Sequence, residues 1–182
     1  MPVSAGIDAA GKVGAMIDFD ESADVAKTLA WYRSSFFEGC EEGFVADFMV
    51  FCWQTLDPGN VAATDLRGDL FDACAGQLRE LLQSVEETCG PWSAPAFWKR
   101  YIEWADYATL FSIEDQREFA QHDPGYIEPA FSVFAFTGGQ EMRAEAMTVL
   151  ASCAASSTKR ASYVRSVIES RLRVEAFAAR TR

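Results

Sequence analysis

The sequence predicts an all-α fold, a compact single-domain bundle of about seven or eight helices. Apolar residues recur every three or four positions through most of the chain, which is the period of an amphipathic helix. The 14 Phe, 5 Trp and 5 Tyr residues supply enough bulky apolar material for one core. Glycine and proline fall mainly between the periodic segments, where they are expected to end helices.

The chain begins with an irregular arm over residues 1–20, which are mostly small and are interrupted by glycine. A first helix is predicted from about Ser22 to Gly39, with apolar residues stepping along one face. The second, over about 41–56, is apolar nearly all round and is expected to be the central helix of the bundle. Its window over 44–56 carries one charged residue, Asp47.

The third predicted helix, over about 62–88, divides most clearly into two faces. Leucines dominate one side, and acidic residues fill the other. A dense acidic surface speeds encounter with a cationic partner. The residues assigned to this partner-binding surface are Asp65, Asp69, Asp72, Glu80, Glu86 and Glu87.

The segment over 90–112 is rich in aromatic residues and predicts the fourth helix. Ser93 is the expected N-cap, and Pro95 suits the first turn, where a missing N–H costs nothing. Trp98 and Ile102 lie beside the polar face and are predicted to anchor a partner, because tryptophan is common in interface hot spots. The alternative is that a wide core also buries Trp98. The stripe assigned to the core consists of Phe97, Tyr101, Trp104, Ala108 and Phe111.

Four further helices are predicted in the C-terminal part of the chain. Ser112 is the N-cap of a short one with an acidic first turn. Residues 126–137 fit either a helix or an extended segment, and a helix is favoured because the sequence offers no second strand for pairing. The last two helices cover about 140–153 and 159–179. The amphipathic pattern weakens after Leu172, so the final turns are not expected to pack as the earlier ones do.

Charge is distributed unevenly along the chain, whose formal net charge is −11. Residues 1–158 carry 9 basic and 25 acidic side chains, whereas residues 159–182 carry 7 basic and 2 acidic ones. We therefore divide the chain into the arm, an acidic all-α domain over 21–158 and a basic C-terminal helix over 159–182. An acidic body repels phosphates, which disfavours direct binding of nucleic acid by the body.

The basic C-terminal helix is expected to dock on an acidic surface, in cis on its own domain or in trans on a neighbouring copy. Its cationic side chains scatter around the helix, which favours docking over reading of a nucleic-acid groove. The sequence does not decide between docking in cis and in trans. The residues assigned to docking are Arg165, Arg171, Arg173 and Arg180.

Few residues point to catalysis. With a single histidine, His122, this chain cannot build a zinc or di-iron site that needs two or more histidines. No phosphate-binding loop or dinucleotide fingerprint is present. Acidic pairs at spacings that suit Mg²⁺ arise by chance in a chain with 27 acidic residues. We therefore expect no catalytic residue, cofactor or metal. The acidic pairs are Glu38 and Glu41, Asp69 and Asp72, and Glu103 and Asp106.

The sequence also predicts a compartment. It opens without a basic segment followed by a long apolar run, and its most apolar window is shorter than the roughly 20 residues of a membrane-spanning helix. Five cysteines without a C-x-x-C pair fit reduced thiols, with Cys52, Cys74 and Cys153 in the core. We expect a cytoplasmic protein that makes no contact with a membrane.

Three functions are consistent with these observations. The preferred one is a non-catalytic acidic helical protein that binds a basic partner protein, as inhibitors, immunity proteins, anti-defence proteins and nucleic-acid mimics do. The second is a self-assembling structural subunit whose basic C-terminal helix contacts the acidic body of a neighbouring copy. The third is a Mg²⁺-dependent all-α nucleotide hydrolase. The first is preferred because charge, rather than catalytic groups, dominates the sequence.

Overall fold

The computed structural model describes residues 25–36, 40–59 and 68–180. Within these ranges the regular structure is helical, without a β-strand, and the prediction of an all-α fold is confirmed. The predicted arm over residues 1–20 and the predicted ends of the first helix lie outside the described residues. The helices are α1 (Val25–Ser35), α2 (Glu42–Leu56), α3 (Gly68–Thr88), α4 (Ala94–Tyr107), α5 (Ile113–His122), α6 (Ala130–Phe136), α7 (Arg143–Cys153) and α8 (Lys159–Arg180).

Helix α2 contacts α1, α3, α4 and α8. Ten of its 15 residues are buried, which explains why its sequence is apolar on nearly every side. Its Phe48 ring stacks on Tyr32 of α1 with ring centroids 4.7 Å apart. Cys52 on α2, Cys74 on α3 and Cys153 on α7 are buried, as predicted.

Two helices begin at the serine residues that the sequence predicts as N-caps. The Ser93 hydroxyl accepts a hydrogen bond from the Ala96 N–H at 3.2 Å, which caps α4. Ser112 accepts a bond from the Asp115 N–H at 3.1 Å, and the Asp115 carboxylate accepts one from the Ser112 N–H at 2.8 Å. This reciprocal pair is a capping box, and it fixes the start of α5.

The end of α4 departs from the sequence prediction. Ala108 adopts a left-handed conformation with φ 54° and ends the helix after Tyr107. The predicted core stripe is therefore wrong at Ala108, which is exposed, and Trp104 is half-buried. Phe111 lies in the following loop, but it is still buried and packs on Phe97 with ring centroids 5.9 Å apart.

Helix α6 resolves the ambiguous segment over 126–137. Residues 130–136 are helical, which confirms the favoured alternative. Its first five residues, 130–134, are all buried, and α6 contacts α5, α7 and α8. Only its last two residues, Ala135 and Phe136, reach solvent, so this short helix carries no amphipathic signal.

Helix α8 packs through its first half. Ala161, Val164 and Ile168 are buried against the body, where α8 contacts α2, α6 and α7. Beyond Leu172 the helix is largely exposed, and Val174 and Phe177 keep 54% and 70% of their accessible surface. The final turns therefore bury less apolar surface than the earlier ones, as the weaker amphipathic pattern predicts.

Candidate functional site

Helix α3 carries the acidic surface that the sequence predicts. Its inner side packs on α2 and α4. The helical repeat places the intervening positions in solvent. Asp65 is assigned by sequence to the same surface and lies outside the described residues. The exposed carboxylates on α3 are Asp69, Asp72, Glu80, Glu86 and Glu87. We call these five residues the acidic face.

The acidic face keeps much of its negative charge. Asp72 and Glu87 form no ion pair within the described part of the chain, and Arg79 is the one basic residue in the α3 sequence. Glu86 pairs with Lys99 of α4 at 3.2 Å, and Lys99 also pairs with Glu103. Five carboxylates with one arginine on the same helix produce a negative field over this side of the molecule.

A shallow cleft of about 400 Å³ lies beside the acidic face, between α3 and α4. Leu56 and the ring of Tyr107 contribute apolar surface to it, and its charged lining consists of Arg79, Glu86, Lys99 and Glu103. The cleft therefore places apolar contact area next to the carboxylates.

The prediction that Trp98 and Ile102 form an exposed anchor is wrong, because both side chains are 0% exposed. Trp98 stacks on Phe131 of α6, with ring centroids 5.7 Å apart. Its indole N–H donates to Glu128 at 2.7 Å. The alternative, a wide core that buries Trp98, is what the structure shows. More of the surface of α4 is buried than its aromatic stripe predicts, because α6 packs on the side of α4 that carries Trp98.

A buried network of charged side chains connects α2, the loop before α6 and the start of α8. It was not among the predicted sites. Asp47 of α2 is 4% exposed and accepts a hydrogen bond from Arg160 Nε at 2.8 Å. Arg160, in the first turn of α8, also pairs with Glu128 at 3.3 Å. Glu128 in turn accepts bonds from Trp98 and from the Tyr126 hydroxyl at 3.2 Å. The sequence signal for this network is Asp47, an isolated charge in an apolar helix.

Burial sets the electrostatics of this network. Burial raises the pKa of Asp47, and the Arg160 guanidinium opposes that rise. Burial also acts to lower the pKa of Arg160, but Glu128 and Asp47 outweigh it and raise that pKa. The network joins α2, the loop before α6 and the start of α8, so its role in the fold is to hold these elements together.

The carboxylates considered for Mg²⁺, in the part of the chain that the structure describes, lie in solvent or bind other side chains. Asp69 and Asp72 are exposed on α3. Asp106 accepts a hydrogen bond from the Trp53 indole N–H at 2.9 Å. Over residues 25–36, 40–59 and 68–180, no three His, Cys, Asp or Glu side chains come together to hold a metal ion. His122 is exposed at the end of α5 and stacks on Trp92.

The residues assigned to C-terminal docking differ in their surroundings. Arg171 donates to the Gly138 carbonyl oxygen, so this side chain docks on its own domain. Arg173 lies 3.8 Å from Glu169 on the same helix and is largely exposed. Arg165 is half-buried, and Arg180 is exposed.

A tight turn receives the inner side of α8. Gly138 and Gly139 both have positive φ, 71° and 81°, in the turn after α6. Glu175 of α8 packs against Gly139 and pairs with Arg143 at 2.8 Å. A Cβ atom on Gly139 would overlap the Glu175 carboxylate. The two glycines thus allow α8 to lie close to the turn.

Gly139→Ala is therefore expected to lower the free energy of unfolding by roughly 1–2 kcal/mol, because alanine is strained at positive φ and displaces Glu175. Gly76→Ala is a matched control on α3, where a new Cβ meets no atom within 4 Å. That substitution is expected to stabilise the helix by about 0.5–1 kcal/mol. Urea denaturation of both variants measures the difference, and equal stability of the two would contradict the argument.

Comparisons with protein-family models, with curated proteins and with solved structures give no match for this chain. Conclusions about function therefore depend on the residues of the chain itself. Among the helices in the described ranges, none combines the length and the apolar character needed to cross a membrane.

Proposed function

We propose that this chain is a non-catalytic acidic binding protein whose α3 face engages a basic partner protein. The observation that supports the proposal is the acidic face, five exposed carboxylates on one helix with one arginine. The first 158 residues carry 25 acidic and 9 basic side chains, so the whole body adds to this field. Electrostatic attraction of this kind raises association rates and selects cationic partners.

The hydrophobic contribution to binding is assigned to the cleft between α3 and α4 rather than to Trp98. Leu56 and the exposed ring of Tyr107 line it together with Glu86, so one partner surface can contact both the apolar and the charged groups. Inhibitors and mimics of nucleic acid act through this combination: charge complementarity sets the encounter rate, and apolar contact sets the lifetime of the complex.

The experiment is affinity purification from the native host at low ionic strength, followed by titration of the captured protein against variants. Asp72→Lys/Glu87→Lys is expected to weaken binding by about tenfold or more, because like charges then face the partner. Glu118→Lys/Glu145→Lys is the control, since it makes the same change in charge at exposed positions on α5 and α7. An affinity that neither salt nor the α3 variant reduces would contradict the proposal.

A further inference from the structure

We propose that the exposed end of α8 docks on the acidic face of a second copy of this chain, in a head-to-tail contact. The inference uses the acceptor surface of the proposed function but assigns it an additional occupant. The last turns of α8 have two sides with different surroundings.

The inner side of these turns is fixed to the body. Arg171 donates to the Gly138 carbonyl, and Glu175 pairs with Arg143 at 2.8 Å and with Arg171 at 3.6 Å. These contacts hold the helix against the turn after α6. The end of α8 therefore has a fixed direction rather than folding back over its own acidic face.

The outer side presents cations around an aromatic ring. At 100° per residue, Arg173, Phe177 and Arg180 fall within about 60° of one another, and Arg171 and Glu175 lie opposite. Phe177 is 70% exposed, and the adjacent Val174 is 54% exposed. We call Arg173, Phe177 and Arg180 the outer stripe. It combines positive charge with exposed apolar area, which is typical of a docking surface.

The acidic face of the same protein complements the outer stripe. It offers carboxylates on α3 beside a shallow cleft of about 400 Å³ whose lining includes Leu56 and the exposed ring of Tyr107. These groups offer apolar surface against which the ring of Phe177 can pack. Within one molecule, α8 packs on α2, α6 and α7, and α3 packs on α2 and α4. The complementary acceptor is thus α3 of another copy, and the contact is heterologous, so it repeats from copy to copy.

The test is sedimentation velocity of the full chain over a range of concentrations and salt. The expected result is a weight-average mass that rises with concentration at low ionic strength and returns to that of the monomer at high ionic strength. Arg173→Glu/Arg180→Glu is expected to abolish the rise. Arg165→Glu, earlier on α8 and outside the outer stripe, is expected to preserve it.

A charge exchange identifies the acceptor. Asp72→Arg/Glu87→Arg alone is expected to be monomeric, because its acidic face then repels the outer stripe. Mixing it with Arg173→Glu/Arg180→Glu is expected to restore association, since the native outer stripe of the first variant can then bind the native acidic face of the second, and the two reversed surfaces also attract each other. Unchanged circular dichroism of both variants shows that the fold is intact.

A wild-type chain that stays monomeric at every concentration and salt would overturn the proposal. So would association that survives Arg173→Glu/Arg180→Glu, or a mixture of the reversed variants that stays monomeric. These results are distinct from a failure of the proposed function, because a chain can bind a basic partner through α3 and remain monomeric.

Discussion

Arg160→Met is expected to lower the free energy of unfolding by about 3–5 kcal/mol, because it leaves Asp47 buried without its counter-ion. Asp47 is 4% exposed, and the guanidinium lies 2.8 Å from its carboxylate. Glu128 loses the same partner but keeps the donors Trp98 and Tyr126. Urea denaturation of the variant and the wild type measures the loss.

Two control variants test the origin of this effect. Arg173→Met breaks an exposed ion pair with Glu169 and is expected to cost less than about 1 kcal/mol. Asp47→Leu/Arg160→Met removes both charges and is expected to recover most of the stability, since an apolar pair of similar size needs no counter-ion. A single Arg160→Met variant as stable as Arg173→Met would contradict the account of the network.

The stability of Arg160→Met is expected to depend on pH. Burial raises the pKa of Asp47 above its ordinary 3.8, and the loss of Arg160 raises it further. Between the unfolded and folded pKa values the folded state then binds a proton that the unfolded state lacks, so stability falls as pH rises through this window. The deficit of Arg160→Met relative to wild type is therefore expected to shrink as the solution is acidified.

Trp98→Ala is expected to lower the free energy of unfolding by about 3–5 kcal/mol, the usual cost of deleting a buried tryptophan. The ring is 0% exposed and packs on Phe97, Tyr101 and Phe131, and its N–H is a donor to Glu128. Thermal or urea denaturation measures the loss, and partner binding by the folded fraction is expected to be unchanged.

Two further variants test whether Trp98 stabilises the core or anchors a partner. Trp98→Phe keeps a ring but leaves Glu128 with one donor fewer, so an intermediate loss of about 1–3 kcal/mol is expected. Tyr107→Ala, at an exposed ring on the same helix, is expected to change stability by less than about 0.5 kcal/mol. A fully stable Trp98→Ala variant that fails to bind the partner would instead assign Trp98 to an interface.

The sequence predicts features that depend on neighbours along the chain. Ser93 and Ser112 are N-caps because the bonds they accept come from N–H groups three residues later. The exposure of the acidic face follows from the helical repeat within α3.

Contacts between distant segments could not be predicted in this way. The burial of Trp98 depends on α6, a helix without an amphipathic pattern of its own. Arg160 and Asp47 are 113 residues apart, and periodicity gives no reason to pair them. The left-handed Ala108 carries none of the usual signals, since that conformation favours glycine or asparagine. The sequence therefore indicates which faces are buried more reliably than which partner buries them.

The ion pair between Asp47 and Arg160 also bears on how the chain can be divided. A fragment that stops at residue 158, where acidic composition gives way to basic, would retain α2 with a carboxylate in its interior and no cation to neutralise it. During synthesis the same deficiency persists until Arg160, in the first turn of α8, has emerged from the ribosome. A boundary drawn from charge composition thus cuts through a contact on which the stability of the acidic portion depends.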